Sequence, residues 1–167
     1  MQFIPWRYIA DWKCTSCGEC CRQYSVVIDF AEWLGIIKNY GVEHTVSDLN
    51  KFLITRRADG SCCFLHNGSS TGKCQLQHMK PKACQIWPFK VLPTPQYGYP
   101  NEAQFMYFGK SLFVYADTNC RGIKLGNPTF QFEYFTIKEF VEIAAGLRKE
   151  QMRTTATEFS PPFFRFG

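Results

Sequence analysis

Residues 14–21 read C-T-S-C-G-E-C-C, four thiols within eight positions. Cys14, Cys17 and Cys20 stand at C-x2-C-x2-C spacing, and Gly18 inside the block permits a tight turn that aims several sulfurs at one point. The chemistry this predicts is metal ligation by thiolate. Free thiols at such density are a reactive liability, and no apolar core needs them. Sulfur recurs at Cys62, Cys63, Cys74, Cys84 and Cys120. The triplet spacing is the one by which bacterial ferredoxins hold three corners of a [4Fe-4S] cluster, the fourth ligand coming from elsewhere. Structural zinc is usually held by two separate C-x2-C knuckles, and this chain has one. Spacing therefore favours an iron–sulfur centre over Zn(2+), with Cys63, Cys74, Cys84 or Cys120 available to close the shell. Thiolates suit both metals, and the count allows one centre or two.

Nine cysteines are an odd number, and two pairs are vicinal, Cys20–Cys21 and Cys62–Cys63. The N-terminal M-Q-F-I-P-W-R-Y-I-A-D-W-K lacks the continuous apolar run of an export signal. Together these argue for a reduced, cytoplasmic setting and against a disulfide scaffold. No apolar run reaches the roughly eighteen residues of a membrane span. The formal charge of +5 counts thiols as neutral. A tetrathiolate site lowers it to about +3, and two such sites to about +1. The Lys and Arg residues are also dispersed, so no nucleic-acid footprint is expected.

The elements that must position the thiols are short. Residues 24–28 form a β-branched run that predicts a strand. Asp29 as N-cap, Glu32 as its capping-box partner and Gly41 as the stop predict a helix. Phe30, Trp33, Leu34 and Ile37 would form its packed face. A second short helix is expected from Thr45 or Ser47. Residues 52–57 and 61–65 flank the turn signal Ala58-Asp59-Gly60 and predict a hairpin. Residues 66–73 (H-N-G-S-S-T-G-K) form a polar loop whose glycine spacing does not fit a phosphate loop. Pro81 opens a short helix carrying Cys84, and Pro88 ends it. Residues 104–108, 112–115 and 129–135 read as strands. Thr136, with Glu139 three later, would then cap a final helix whose stripe is Ile137, Phe140, Val141, Ala144 and Leu147. The fold class expected is α+β: a small single domain, residues 1–152, of short strands and two main helices, its cysteine-rich core stapled by a metal or iron–sulfur centre. Residues 153–167 form a Pro/Phe-rich tail ending S-P-P-F-F-R-F-G, which folds back or docks on a protein partner.

The blocks C-T-S-C-G-E-C-C, C-F-L at 63–65 and C-Q-L-Q-H-M-K-P-K-A-C-Q-I-W-P-F at 74–89 resemble the YkgJ-type cysteine-cluster family. That family is described as a zinc- or iron-chelating domain, and flagellin lysine N-methylase contains a related cysteine pattern. Cys120-Arg121-Gly122 is similar to the family's late cysteine. Lys80 stands where an arginine before Pro81 is usual, and Arg121 where a proline is common. The resemblance, which covers roughly residues 14–126, implies a ligand set of Cys14, Cys17, Cys20, Cys21, Cys63, Cys74, Cys84 and Cys120. It leaves Cys62 as a structural thiol on the opposite face of its strand.

His78, four residues after Cys74, is a secondary ligand candidate, while His44 and His66 are expected to face solvent. Met79 reads as packing, and Trp87-Pro88-Phe89 as an apolar lid over the centre. Three function classes follow. The first is an iron–sulfur protein acting in electron transfer or a modification reaction with a partner. The second is a zinc-stabilised structural or interaction module. The third is a cluster-dependent methyl-transferring enzyme, for which the chain offers neither a glycine-rich cofactor fingerprint nor a nucleophile–base set, so its catalytic residues are unknown.

Overall fold

A computed structural model of the protein describes residues 2–66 and 72–153. In chain order come β1 (Phe3–Pro5), β2 (Ile9–Trp12), α1 (Glu19–Gln23), β3 (Val27–Ile28) and α2 (Phe30–Tyr40). They are followed by β4 (Thr45–Asp48), β5 (Lys51–Ile54), α3 (Lys82–Gln85), β6 (Phe89–Leu92) and α4 (Pro100–Ala103). The last are β7 (Gln104–Tyr107), β8 (Lys110–Asp117), β9 (Ile123–Leu125) and α5 (Lys138–Ala144). The architecture is α+β, every strand pairing antiparallel. No helix among the described residues is long and apolar enough to cross a membrane.

Three small sheets build two cores. The longest strand, β8, pairs with β1, β6 and β7, β2 pairs with β9, and β5 lies between β3 and β4. The first core gathers Trp6, Ile9, Trp12, Phe89, Phe132 and Phe140 between the β8 sheet and the C-terminal helix. Edge-on aromatic packing knits it, with Trp12 centred 5.9 Å from Phe89 and 5.1 Å from Phe140. The second core is smaller, formed by Ile28, Ile36, Ile54, Cys62, Phe64 and Leu76 under α2.

The capping-box prediction for α2 is met on both sides. Asp29 Oδ1 accepts the Glu32 N–H at 2.8 Å, and Glu32 Oε2 accepts the Asp29 N–H at 3.0 Å. Gly41 closes the helix, its N–H donating to the Ile37 carbonyl at 3.0 Å. The packed face is rotated from the expected one. Ile36 is buried, whereas Phe30 and Leu34 are 60% and 52% exposed. The β5 sheet covers the helix along Trp33 and Ile36, with Trp33 stacked on Phe52 at 4.6 Å.

Four other expectations are corrected. The helix from Thr45 or Ser47 is the strand β4, because residues 45–48 find backbone partners on β5. The 58–60 turn exists, with the Ser61 N–H and hydroxyl both donating to Asp59 Oδ1, but the hairpin shrinks to one bridge, Arg56 to Cys62. β5 pairs instead with β3 and β4. Of residues 24–28 only β3 is strand. Lastly, residues 129–135 are not a strand. Thr129 caps a helix through its hydroxyl to the Phe132 N–H (3.2 Å), and a π-helical stretch, Phe132–Ile137, runs into α5. Thr136 is thus an interior, buried residue and not a cap, and Leu147 lies beyond the helix, 67% exposed. Phe132, Thr136, Ile137, Phe140 and Val141 all face the core, a spacing of four, one, three and one that helical winding satisfies and alternation does not. The S-P-P-F-F-R-F-G segment lies outside the described residues.

Candidate metal centre

Between the two cores lies a cavity of about 240 Å³ walled by eight cysteines: Cys14, Cys17, Cys20, Cys21, Cys62, Cys74, Cys84 and Cys120. Five separate stretches of chain deliver them. Cys14 and Cys17 come from the loop between β2 and α1, and Cys20 and Cys21 from the first turn and a half of α1. Cys62 and Cys74 come from the bridged loop after β5, Cys84 from α3, and Cys120 from the turn after β8.

Backbone contacts fix these stretches. Gly18, at φ +71°, reverses the chain where the loop enters α1, a conformation that favours glycine. Gly72 packs directly on it: a Cβ on Gly72 would lie 2.5 Å from the Gly18 Cα, and its N–H donates to the Ser16 carbonyl at 2.7 Å. Gly122 likewise leaves no room for a Cβ against the Lys13 carbonyl, and the Lys13 N–H donates to its carbonyl at 3.2 Å. The guanidinium of Arg56 donates to the carbonyls of Arg22 and Tyr24, binding the end of α1 to the β5 loop. Glu32, already part of the α2 cap, accepts the Lys82 N–H at 2.6 Å and so ties α2 to the helix that carries Cys84.

The vicinal pair Cys62–Cys63 is placed the opposite way round from the expectation. The Cys62 N–H donates to the Cys21 carbonyl at 2.8 Å, which seats Cys62 on the cavity wall, 7% exposed. Cys63 is not on that wall; its Sγ sits 3.8 Å from the His44 carbonyl, and its own carbonyl accepts from Arg57 at 2.7 Å. Strand alternation does not apply, because Cys62 forms an isolated bridge and Cys63 enters a turn; Cys62 is the member on the wall. Cys20 and Cys21, by contrast, both reach the cavity because α1 is a helix and not an extended segment.

Within each vicinal pair the thiols hydrogen-bond to one another. Accepting from Cys21 brings Cys20 down to about 7, and accepting from Cys63 brings Cys62 down to about 6. The donors Cys21 and Cys63 are pushed up in consequence. Burial pushes up Cys74, Cys84 and Cys120. The ammonium of Lys80, on the cavity wall, draws Cys20, Cys74 and Cys84 toward their charged forms. Lys80 was legible only as a departure from the family pattern. Trp12 was not read as part of the site, yet its indole N–H donates to Cys120 Sγ at 3.3 Å. Tyr24 was missed as well. Its hydroxyl donates to the fully buried Asp117 at 3.1 Å, whose backbone carbonyl accepts the Cys120 N–H at 3.1 Å.

The lid expectation divides. Trp87 lines the cavity and packs on Tyr24 at 4.3 Å, whereas Phe89 is a core residue. The histidines stand off the cavity wall. His78 is exposed beside Tyr40, and His66 is exposed. His44, expected in solvent, instead stacks on Phe64 at 5.1 Å. Met79 packs on the second core.

The donor set fits a thiophilic metal: all thiols, a cationic neighbour, and N–H donors to sulfur. Among the described residues no three Cys, His, Asp or Glu side chains converge on one point at ion-holding distance.

A model of the CxxCxxCC family, described as a putative zinc- or iron-chelating domain, matches residues 13–121, well over half of the chain. The chain belongs to this family. The CxxCxxCC match begins one residue before Cys14 and ends one after Cys120, so it embraces all the cysteines of the cavity and gives the protein a general metal-binding role. No curated protein and no solved structure matches the chain.

Proposed function

We propose that this protein carries an iron–sulfur centre in the eight-thiol cavity and works with a protein partner, in electron transfer or in support of a modification reaction. The observation that carries this reading is the cavity's size set against its lining. About 240 Å³ is room for roughly eight waters at ~30 Å³ each, far more than one ion occupies. A wall of thiols around such a space suits a multi-atom group of iron and sulfide better than a lone zinc, which draws four ligands to about 2.3 Å.

When bound, such a centre supplies reversible one-electron chemistry. The chain's own residues set its surroundings. Trp87 and Tyr24 exclude water from one side, which lowers the local dielectric. Trp12 donates to Cys120, and Lys80 offsets thiolate charge; both favour the more negative, reduced state. The Pro/Phe-rich tail, outside the described residues, offers aromatic side chains for docking.

The test is elemental analysis and an absorption spectrum of anaerobically purified protein. Iron and acid-labile sulfide with a broad thiolate-to-iron band are expected. A colourless protein with stoichiometric zinc would overturn the iron–sulfur reading in favour of a zinc-stabilised interaction module.

A further inference from the structure

A second concavity, a groove of about 410 Å³, opens between β7 and the π-helical stretch Phe132–Ile137, and no cysteine lines it. We infer that residues 154–167 of the same chain, which lie outside the described residues, occupy this groove. The phenylalanines of S-P-P-F-F-R-F-G dock against its aromatic walls, a contact that needs nothing from the metal cavity.

On one wall stands the hairpin tip. β7 and β8 join through a two-residue turn, Phe108-Gly109, with φ of +46° and +74°. Such turns favour Asn-Gly or Asp-Gly, because a bulky side chain fits the left-handed region poorly. Phe108 sits there nonetheless, 86% exposed, its ring edge-on to Tyr107 at 4.7 Å. A residue that is costly both in its backbone and in its exposure points to something that covers it. Across the groove Tyr134 is exposed too, and an aromatic strip leads away from it. Tyr134 stacks on Phe130 at 4.6 Å, and Phe130 meets Phe135 edge-on at 6.0 Å, all three exposed. Singly exposed aromatics are ordinary, but a contiguous run of them beside a groove marks a binding surface.

The chain itself arrives at the end of this strip. After α5 it is tied back: Arg148 Nε donates to Glu142 Oε2 at 2.7 Å, and the Met152 and Arg153 N–H groups both donate to the buried Glu139 at 2.9 Å. The Arg153 guanidinium then lies over the Phe135 ring at 4.9 Å. Fourteen residues, 154–167, follow it. Fully extended they reach roughly 46 Å at about 3.3 Å per residue. The polar T-T-A-T-E comes first, then Phe159, Phe163, Phe164 and Phe166. Pro161 and Pro162 carry a φ fixed in advance, which lowers the entropy lost on docking. Tethering at the strip gives these side chains an effective concentration on the order of millimolar, above that of another copy in dilute solution. The chain's own segment therefore takes the groove in preference to a second copy's. A protein partner that uses the same phenylalanines has to draw them out of it.

The test is photo-crosslinking of the full-length protein at low micromolar concentration, with the substitution Phe164→p-benzoylphenylalanine and the adducts mapped by mass spectrometry. Adducts within one chain, on residues 104–108 or 130–138, are expected. Adding Phe108→Asn and Tyr134→Ala should weaken docking by on the order of a hundredfold, about tenfold for each aromatic anchor lost. Those adducts should then disappear while the circular dichroism spectrum is unchanged, since both positions are exposed. Phe108→Asn alone suits the turn better than phenylalanine does, so it keeps the test readable even where Tyr134→Ala disturbs the helix. Adducts on another face, adducts only between chains, no adduct at all, or a yield that the variants leave unmoved would each overturn the inference.

Discussion

The two halves of the molecule are held by different forces. Around β8 and the C-terminal helix, ten buried residues form a core, five of them aromatic. Around α2 the buried core has six members, of which one is aromatic and one is a cysteine. The first half can stabilise itself by removing apolar surface from water, at about 1.5–3 kcal/mol for each large side chain fully buried. The second half carries most of the thiols on elements too short to persist alone. α1 has five residues, β3 two and α3 four, all below the length at which a helix or strand is stable without tertiary support. On the proposed reading, metal binding and stability are coupled on the thiol side of the molecule and separable on the other.

Metal removal should break this comparison open most widely. A tetrathiolate site contributes on the order of 10–16 kcal/mol, against a net of about 5–15 kcal/mol for a whole domain. Hydrogen exchange with and without a chelator is the measurement. Protection should collapse in α1, β3, α2, β4, β5 and α3, and survive in β6, β7, β8 and α5. Uniform loss over both halves would falsify the division.

The converse perturbation is Phe140→Ala. Phe140 is fully buried and packs on Trp12 and Phe89, so its truncation should cost about 3–5 kcal/mol by transfer and cavity terms together. Because the residue belongs to the self-sustaining half, the loss should be similar in metal-loaded and metal-free protein. A thermal or denaturant scan of both forms decides it.

Much of this asymmetry was legible in the sequence, and the rest was not for identifiable reasons. Local signals survived: the Asp29–Glu32 box, the Pro81 helix start and the 58–60 turn each depend on residues only a few positions apart. Signals that depend on distant partners failed. Nothing near Thr45 shows that β5 will claim it as a strand. Which of Cys62 and Cys63 faces inward is decided by a backbone bond to Cys21, far back in the chain. The aromatic stretch 129–135 has strand-like composition, and only its continuation through Ile137 and Val141 reveals the helical period. The thiol blocks were recognisable as the cysteine pattern of a metal-binding family, but the cavity they share is a product of the fold.

Arg56→Ala probes the seam on the thiol side. Its guanidinium donates to the carbonyls of Arg22 and Tyr24, and hydrogen bonds from a charged group contribute about 1.5–3 kcal/mol. The variant should lose roughly 2 kcal/mol in the metal-loaded state and bind metal more weakly. In the chelated protein it should change little, since the elements it joins have already separated.

Metal affinity should also rise with pH. In the folded chain burial pushes the thiols of Cys74, Cys84 and Cys120 up, and a free thiol already holds its proton at neutral pH, so the three are protonated in the metal-free protein even where the thiol side opens. Ligation needs thiolates, so uptake expels those protons, and each proton released strengthens apparent binding about tenfold per pH unit. Chelator competition at pH 6 and pH 7 measures it; a pH-independent affinity would mean that none of the three is a ligand.

The smallest effect locates the boundary between the halves. Asp29→Ala removes the N-cap of α2, at a cost of about 1 kcal/mol. It also frees Glu32, whose other carboxylate oxygen accepts the Lys82 N–H at the start of the Cys84 helix. α2 is the longest helix of the thiol side, with eleven residues, yet it buries only Ile36 completely and leaves Phe30 and Leu34 in solvent. So little burial cannot hold a helix of that length without the sheet beneath it, and that sheet is clamped to α1 through Arg56 and Cys62. The cap should therefore matter while the metal is bound and cease to matter once it is gone. Equal destabilisation of both forms would show that α2 and the β5 sheet outlast the metal, and would move the boundary to the thiol loops alone.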